Sequence, residues 1–169
     1  MADHGDEPRR DRRARSLRVH IGADHAGFQL KQELLPFVRE LGYACTDLGT
    51  ADESSCDYPD IAAAGARAVA SGEADRAVLV CGTGVGMCIA AGKVPGAYVA
   101  NCTDTYTARM MRLHNNANVL ALGGRVVGPE LAKDIVEMWL GTEYSGDPRH
   151  QRRIGKVKQI EGGCTDRSE

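Results

Sequence analysis

The sequence predicts one α/β domain, a doubly wound three-layer sandwich of about five parallel strands flanked by helices, Rossmann-like in outline. Three observations predict it. Apolar, β-branched runs recur without strict polar alternation, as in strands buried on both faces. Helical stretches separate those runs, so the two kinds of segment alternate along the chain. Turn and cap residues fall at the junctions. At 169 residues, the chain is long enough for one full core and short for two.

The elements follow in order. Residues 17–22 (LRVHIG) form the first strand candidate, and the helical stretch over 27–41 stops at Gly42, a fitting C-cap. A second strand over 43–48 (YACTDL) leads to a helix over 59–72. The third strand, 76–81 (RAVLVC), runs straight into a glycine-rich turn and a small-residue helix over 85–93. A fourth strand at 96–102 (GAYVANC) precedes Thr103 or Asp104, either of which suits the N-cap of a helix over 103–114. The fifth strand, 117–122 (ANVLAL), is followed by helices over 128–141 and, in a last short piece, near 149–160. Flanking this domain (17–160), residues 1–16 hold five arginines and four acidic residues and read as a disordered charged tail. Residues 161–169 read as a flexible C-terminal tail.

Composition narrows the partners. With 21 basic and 23 acidic residues and a net charge of −2, the chain lacks the basic excess of a nucleic-acid binder. No apolar run approaches the roughly 18 residues of a membrane span. An apolar signal-peptide core is also missing from the N-terminal stretch, so a cytoplasmic location is expected. The six cysteines (45, 56, 81, 88, 102 and 164) form no CxxC pair and have no histidine doublet beside them, which argues against structural zinc. Cys45 and Cys102 fall in apolar runs, where cysteine serves as a small buried hydrophobe.

In doubly wound sheets, ligands bind beyond the carboxyl ends of the strands. That rule singles out Asp24 and His25, then Asp47 or Asp57, residues 81–86, Asn101 and Thr103, and residues 123–125. The richest segment is Cys81-Gly82-Thr83-Gly84-Val85-Gly86. Its glycines admit close approach of a ligand to backbone N–H groups, and a thiol at such a turn can become a reactive thiolate. It is not a dinucleotide fingerprint, because the third glycine comes one residue early and the loop follows the third strand. Neither is it a triphosphate loop, since no Gly-Lys-Ser/Thr follows. What remains is a nest of N–H groups suited to a small oxyanion, or a tight turn that needs glycine for geometry alone. Asp24 and His25 suit a substrate hydroxyl and a phosphate, or else a helix cap beside a surface histidine. His114 could act as a general acid or simply close its helix with Asn115 and Asn116. Arg109 and Arg112 share a helical face. Arg149 and Arg153, four apart, can fork a phosphate or form part of a solvated face.

Together these segments resemble the type B ribose-5-phosphate isomerases, a sugar-phosphate isomerase family that includes the galactose-6-phosphate isomerase subunits. The motifs are Gly22-Ala23-Asp24-His25-Ala26-Gly27-Phe28, Asp57-Tyr58-Pro59, Cys81-Gly82-Thr83-Gly84-Val85-Gly86, His114-Asn115, Asn118-Val119-Leu120, Gly124-Arg125-Val126-Val127-Gly128 and residues 144–153. The resemblance spans about residues 17–160. It implies interconversion of ribose 5-phosphate and ribulose 5-phosphate through an enediolate, in the non-oxidative pentose phosphate pathway, with no metal and no cofactor. By the same resemblance, Cys81 is the base and the N–H groups of residues 82–86 hold the enediolate oxygen. His114 opens the sugar ring, while Asp24 and Asp57 hold or shuttle hydroxyl protons. Tyr58, Thr83, Val85 and Asn115 complete the substrate contacts, with Thr83 also in the catalytic set. His25, Arg125, Arg149 and Arg153 bind phosphate. Family members are homodimers, or dimers of dimers, whose sites combine two subunits. A six-carbon aldose phosphate isomerase (allose 6-phosphate or galactose 6-phosphate type) and a non-catalytic sugar-phosphate sensor are the competing expectations.

Overall fold

The computed structural model describes residues 17–162. The expected charged tail over 1–16, and all but the first two residues of the expected C-terminal tail, lie outside the described residues. Those two residues, Glu161 and Gly162, belong instead to the last helix.

Among the described residues, strands β1 (Arg18–Ala23), β2 (Ala44–Asp47), β3 (Arg76–Cys81), β4 (Val99–Asn101) and β5 (Val119–Gly123) alternate with helices α1 (Phe28–Glu40), α2 (Tyr58–Ala70), α3 (Val85–Ala91), α4 (Thr105–Leu113) and α5 (Pro129–Gly141); α6 (Pro148–Gly162) follows α5. The strands form one all-parallel sheet in the order β2-β1-β3-β5-β4. This is the three-layer sandwich the sequence predicts. No helix among the described residues is long and apolar enough to cross a membrane.

Alternate residues of the central strands feed two cores. Val19, Ile21, Val78, Val80, Leu120 and Leu122 face α1, α4 and α5, with Trp139 fully buried among them. Ala77, Leu79, Cys81, Val119 and Ala121 face α2 and α3 through a layer of small residues, including Ala62, Ala66 and Ala91. Burial on both faces explains why the strand sequences show no polar alternation.

Three elements depart from their expected lengths by three residues or more, among them α4, which covers nine residues. β4 covers three residues because the Asn118 side chain takes over the backbone before it, accepting from Tyr98 N at 2.8 Å and donating to Gly96 O at 2.9 Å. α6 runs for 15 residues. Asp147 caps its start, its Oδ1 accepting from Arg149 N at 2.8 Å. A helix this polar lacks the apolar stripe by which its length could be read from sequence.

Asp47, one of the residues the strand-end rule singles out, is tied up in structure. It sits at the end of β2 and takes Lys31 Nζ on both oxygens, at 2.7 and 2.9 Å, while Thr50 O accepts a third bond at 2.7 Å. Lys31 is 1% exposed and Asp47 38%. Removing the carboxylate strands a buried ammonium. Asp47→Ala is therefore expected to lower stability by about 2–3 kcal/mol, less than for a fully buried pair because water reaches Asp47. Urea unfolding measures it, and a variant as stable as the parent would show the pair to be idle.

Candidate active site

Parallel topology brings the carboxyl ends of β1, β3, β4 and β5 to one edge of the sheet, and four loops meet there. After β1, Asp24 Oδ1 accepts from Ala26 N at 2.9 Å and Gly27 N at 3.0 Å. The aspartate thus organises its own turn, with its second oxygen outside both bonds. Gly27 is obligatory at this point, because a Cβ there would stand 2.5 Å from Val80 O. His25 Nδ1 accepts from Cys56 N at 3.4 Å. That bond places the ring proton on Nε2, where it is available to an anion.

The β3–α3 turn carries the thiol. Cys81 is buried at the end of β3, and its Sγ accepts from Gly84 N at 3.2 Å. Gly84 adopts φ +80°, a conformation suited to glycine. The exposed Thr83 uses its Oγ1 to accept from Val85 N at 3.4 Å. The first intrahelical bond of α3 is Cys88 N to Gly84 O, so the N–H groups of Gly86 and Met87 lie ahead of the helical ladder. Gly86 lets the Tyr58 ring pack close, since a Cβ there would meet that ring at 3.0 Å. Asp57, at the N-cap of α2, makes no side-chain cap bond. From β5, Arg125 reaches back over the turn. Its N donates to Gly82 O at 3.0 Å, and its Nη1 lies 3.9 Å from the place a Cβ on Gly82 would take.

One chain therefore gathers Asp24, His25, Asp57, Tyr58, Cys81, Gly82, Thr83, Gly84, Val85, Gly86 and Arg125. It does not gather the rest. His114 closes α4 before β5 begins, and Asn115 follows it. They belong to the amino edge of the sheet, whereas Cys81 pairs with Gly123 at the carboxyl edge. β5 alone separates those edges by about 13 Å. His114 instead stacks on buried His150 of α6, with ring centroids 4.3 Å apart and planes within 8°. Burial first, then His114 and Arg149, hold the His150 imidazole below its ordinary value. Arg149 and Arg153 flank it on α6, Arg149 Nε lying 3.3 Å from Asp147 Oδ2. The rule that chemistry follows the strand ends thus holds for eleven of the fifteen candidate residues. The other four, His114, Asn115, Arg149 and Arg153, form a second cluster at the opposite edge.

Arg112 is also excluded from a ligand role. It is buried, with Nη1 donating to Ala117 O at 2.6 Å, and burial pushes it down to about 10.

Residues 19–157 match the family described as Ribose/Galactose Isomerase. The chain belongs to the ribose/galactose isomerase family. Ribose-5-phosphate isomerase B of Escherichia coli (strain K12) is 47% identical over 144 residues, which is 85% of this chain and 96% of the relative. A D-erythrulose-4-phosphate isomerase of Pectobacterium atrosepticum is 45% identical over 131 residues, covering 77% and 86% respectively. The solved structure of Clostridium thermocellum ribose-5-phosphate isomerase B superposes with a TM-score of 0.86 at 50% identity, covering 88% of this chain and all of that one. Members of this ribose/galactose isomerase family are isomerases, and the motifs quoted above fall within the matched residues.

Sequence reasoning passed over three contacts. The His114–His150 stack joins the end of α4 to α6, two elements far apart in the chain, and Lys31 carries no local sign of burial. Asn101 was singled out only by its position at a strand end. Its Nδ2 donates to Thr83 O at 3.2 Å, inside the glycine turn.

Proposed function

We propose that this chain interconverts ribose 5-phosphate and ribulose 5-phosphate, a step of the non-oxidative pentose phosphate pathway, as a homodimer whose active sites each use two chains. The observation that carries this reading is the Cys81 sulfur held by the Gly84 N–H at the mouth of a glycine nest, under Arg125 and beside Asp24 and His25. A proton next to a carbonyl needs a positioned base and donors for the oxygen that becomes negative.

In the proposed reaction, His114 of a second chain protonates the ring oxygen as the C1 hydroxyl loses its proton, which opens the sugar. The Cys81 thiolate takes the proton from C2, and the electron pair forms the enediolate. N–H groups of the nest hold its oxygen. Asp24 or Asp57 moves the hydroxyl proton between O1 and O2, and Cys81 returns its proton to C1. His25 and Arg125, with Arg149 and Arg153 of the second chain, bind the phosphate and orient the reacting end. Asn115 of the second chain takes a sugar hydroxyl. Tyr58 and Thr83 border the same space.

A second copy supplies what one copy keeps at its far edge. Exposed Val85 and Ile89 on α3, 49% and 58% accessible, border the turn and offer that copy an apolar surface. A cytoplasmic setting fits the free thiols of Cys45, Cys56, Cys81, Cys88 and Cys102.

The likeness to a four-carbon isomerase makes substrate length the point to test. The specificity constant kcat/KM is expected to be at least about tenfold higher for ribose 5-phosphate than for erythrulose 4-phosphate or allose 6-phosphate, the range one carbon commands in a fitted pocket. A higher constant for either competitor reassigns the substrate.

A further inference from the structure

Asn101 is the last residue of β4, and its side chain reaches the β3–α3 turn. The Thr83 carbonyl that accepts from its Nδ2 belongs to the same peptide unit as the Gly84 N–H. A planar trans peptide carries its C=O and N–H on opposite sides, so holding one end aims the other. The aimed end is the N–H that donates to Cys81 Sγ at 3.2 Å. Glycine at position 84 leaves this peptide free to rotate. A flip would turn the N–H away from the sulfur and bring a carbonyl oxygen towards it, which repels a thiolate.

Two further features show that the contact is specific. A Cβ on Gly84 would collide with Asn101 Oδ1 and come within 2.9 Å of its Cγ, so the amide lies directly against the turn. Asn101 Oδ1 is buried without a hydrogen-bond partner. An orphaned buried oxygen costs stability, and leucine would fill the same volume without it. A donor retained at that cost serves something other than packing.

We propose that Asn101 is a positioning residue whose amide clamps the Thr83–Gly84 peptide, keeping the Gly84 N–H on the Cys81 sulfur and favouring the thiolate. Its effect on turnover rests on Cys81 being the base, but the reactivity of the thiol tests the clamp independently of turnover.

Asn101→Leu removes the donor and the orphaned oxygen together; Asn101→Asp keeps the shape but, ionised, cannot donate. Alkylation of Cys81 by iodoacetamide, resolved by peptide mass spectrometry, is followed against pH in both variants and in the unchanged protein. In Asn101→Leu the profile is expected to move to higher pH by roughly one to two units and kcat to fall roughly tenfold to a hundredfold, with KM within about twofold, as for loss of one hydrogen bond to a charged group. An unshifted profile in folded Asn101→Leu overturns the clamp, whatever happens to turnover. A shifted profile with unchanged kcat supports the clamp and removes Cys81 from the role of base. Should the leucine variant fold poorly, Asn101→Asp is expected to show the same shift, and its absence there overturns the proposal equally.

Discussion

Cys81→Ala is expected to end isomerisation, lowering turnover of ribose 5-phosphate by about three to four orders of magnitude, the upper range for loss of a positioned base. Affinity for the sugar phosphate should stay within about threefold, because the phosphate ligands that supply binding energy are untouched. Burial disfavours three of the four other described thiols as substitutes. Burial pushes Cys102 up to about 12 and Cys45 up to about 11, and it raises Cys88 as well. Cys102 is further committed, its Sγ lying 3.1 Å from Met111 Sδ. Serine at position 81 should rescue nothing, since a hydroxyl does not ionise near neutral pH. Parallel measurement of kcat and of ribose 5-phosphate binding checks both halves of the expectation. Full turnover in Cys81→Ala would remove the thiol from the mechanism. Saturable binding without turnover in the unchanged protein would instead make the chain a sugar-phosphate sensor.

The β3–turn–α3 unit was legible because its signals are local. A β-branched run ends in cysteine, glycines follow at once, and small residues start the helix. Sequence alone places the strand over residues 76–81, and β3 spans Arg76–Cys81. Asp104 likewise caps α4 by accepting from Thr107 N at 2.7 Å. Asp24 shows the limit of such signals. It does not cap α1, whose N-cap is Gly27, and its Oδ1 instead organises the turn ahead of the helix.

What the sequence hid depends on contacts between distant residues. Asn118 shortens β4 through bonds 20 and 22 positions away. Lys31 looks like a surface lysine until Asp47 and Thr50 are folded onto it. The separation of the candidate residues into two clusters is of the same kind. His114, Arg149 and Arg153 are recognisable by motif, but only strand direction reveals that they stand at the edge away from Cys81.

That division yields the second large effect. His114→Ala is expected to lower turnover by about a hundredfold or more, as loss of a general acid does. Mixed with Cys81→Ala, it should regain activity. In a heterodimer, one site inherits both substitutions and the other inherits neither. A site contained within one chain could not recover in this way, because every chain in the mixture carries a defect.

The decisive measurement is therefore the activity of a co-expressed pair, Cys81→Ala and His114→Ala, each carrying its own affinity tag. At random pairing, half the dimers are mixed and each has one intact site of two, so the preparation should reach about a quarter of the unchanged enzyme's turnover. Dimers purified through both tags should reach about half of it. Doubly tagged dimers no more active than either parent would contradict a site built from two chains.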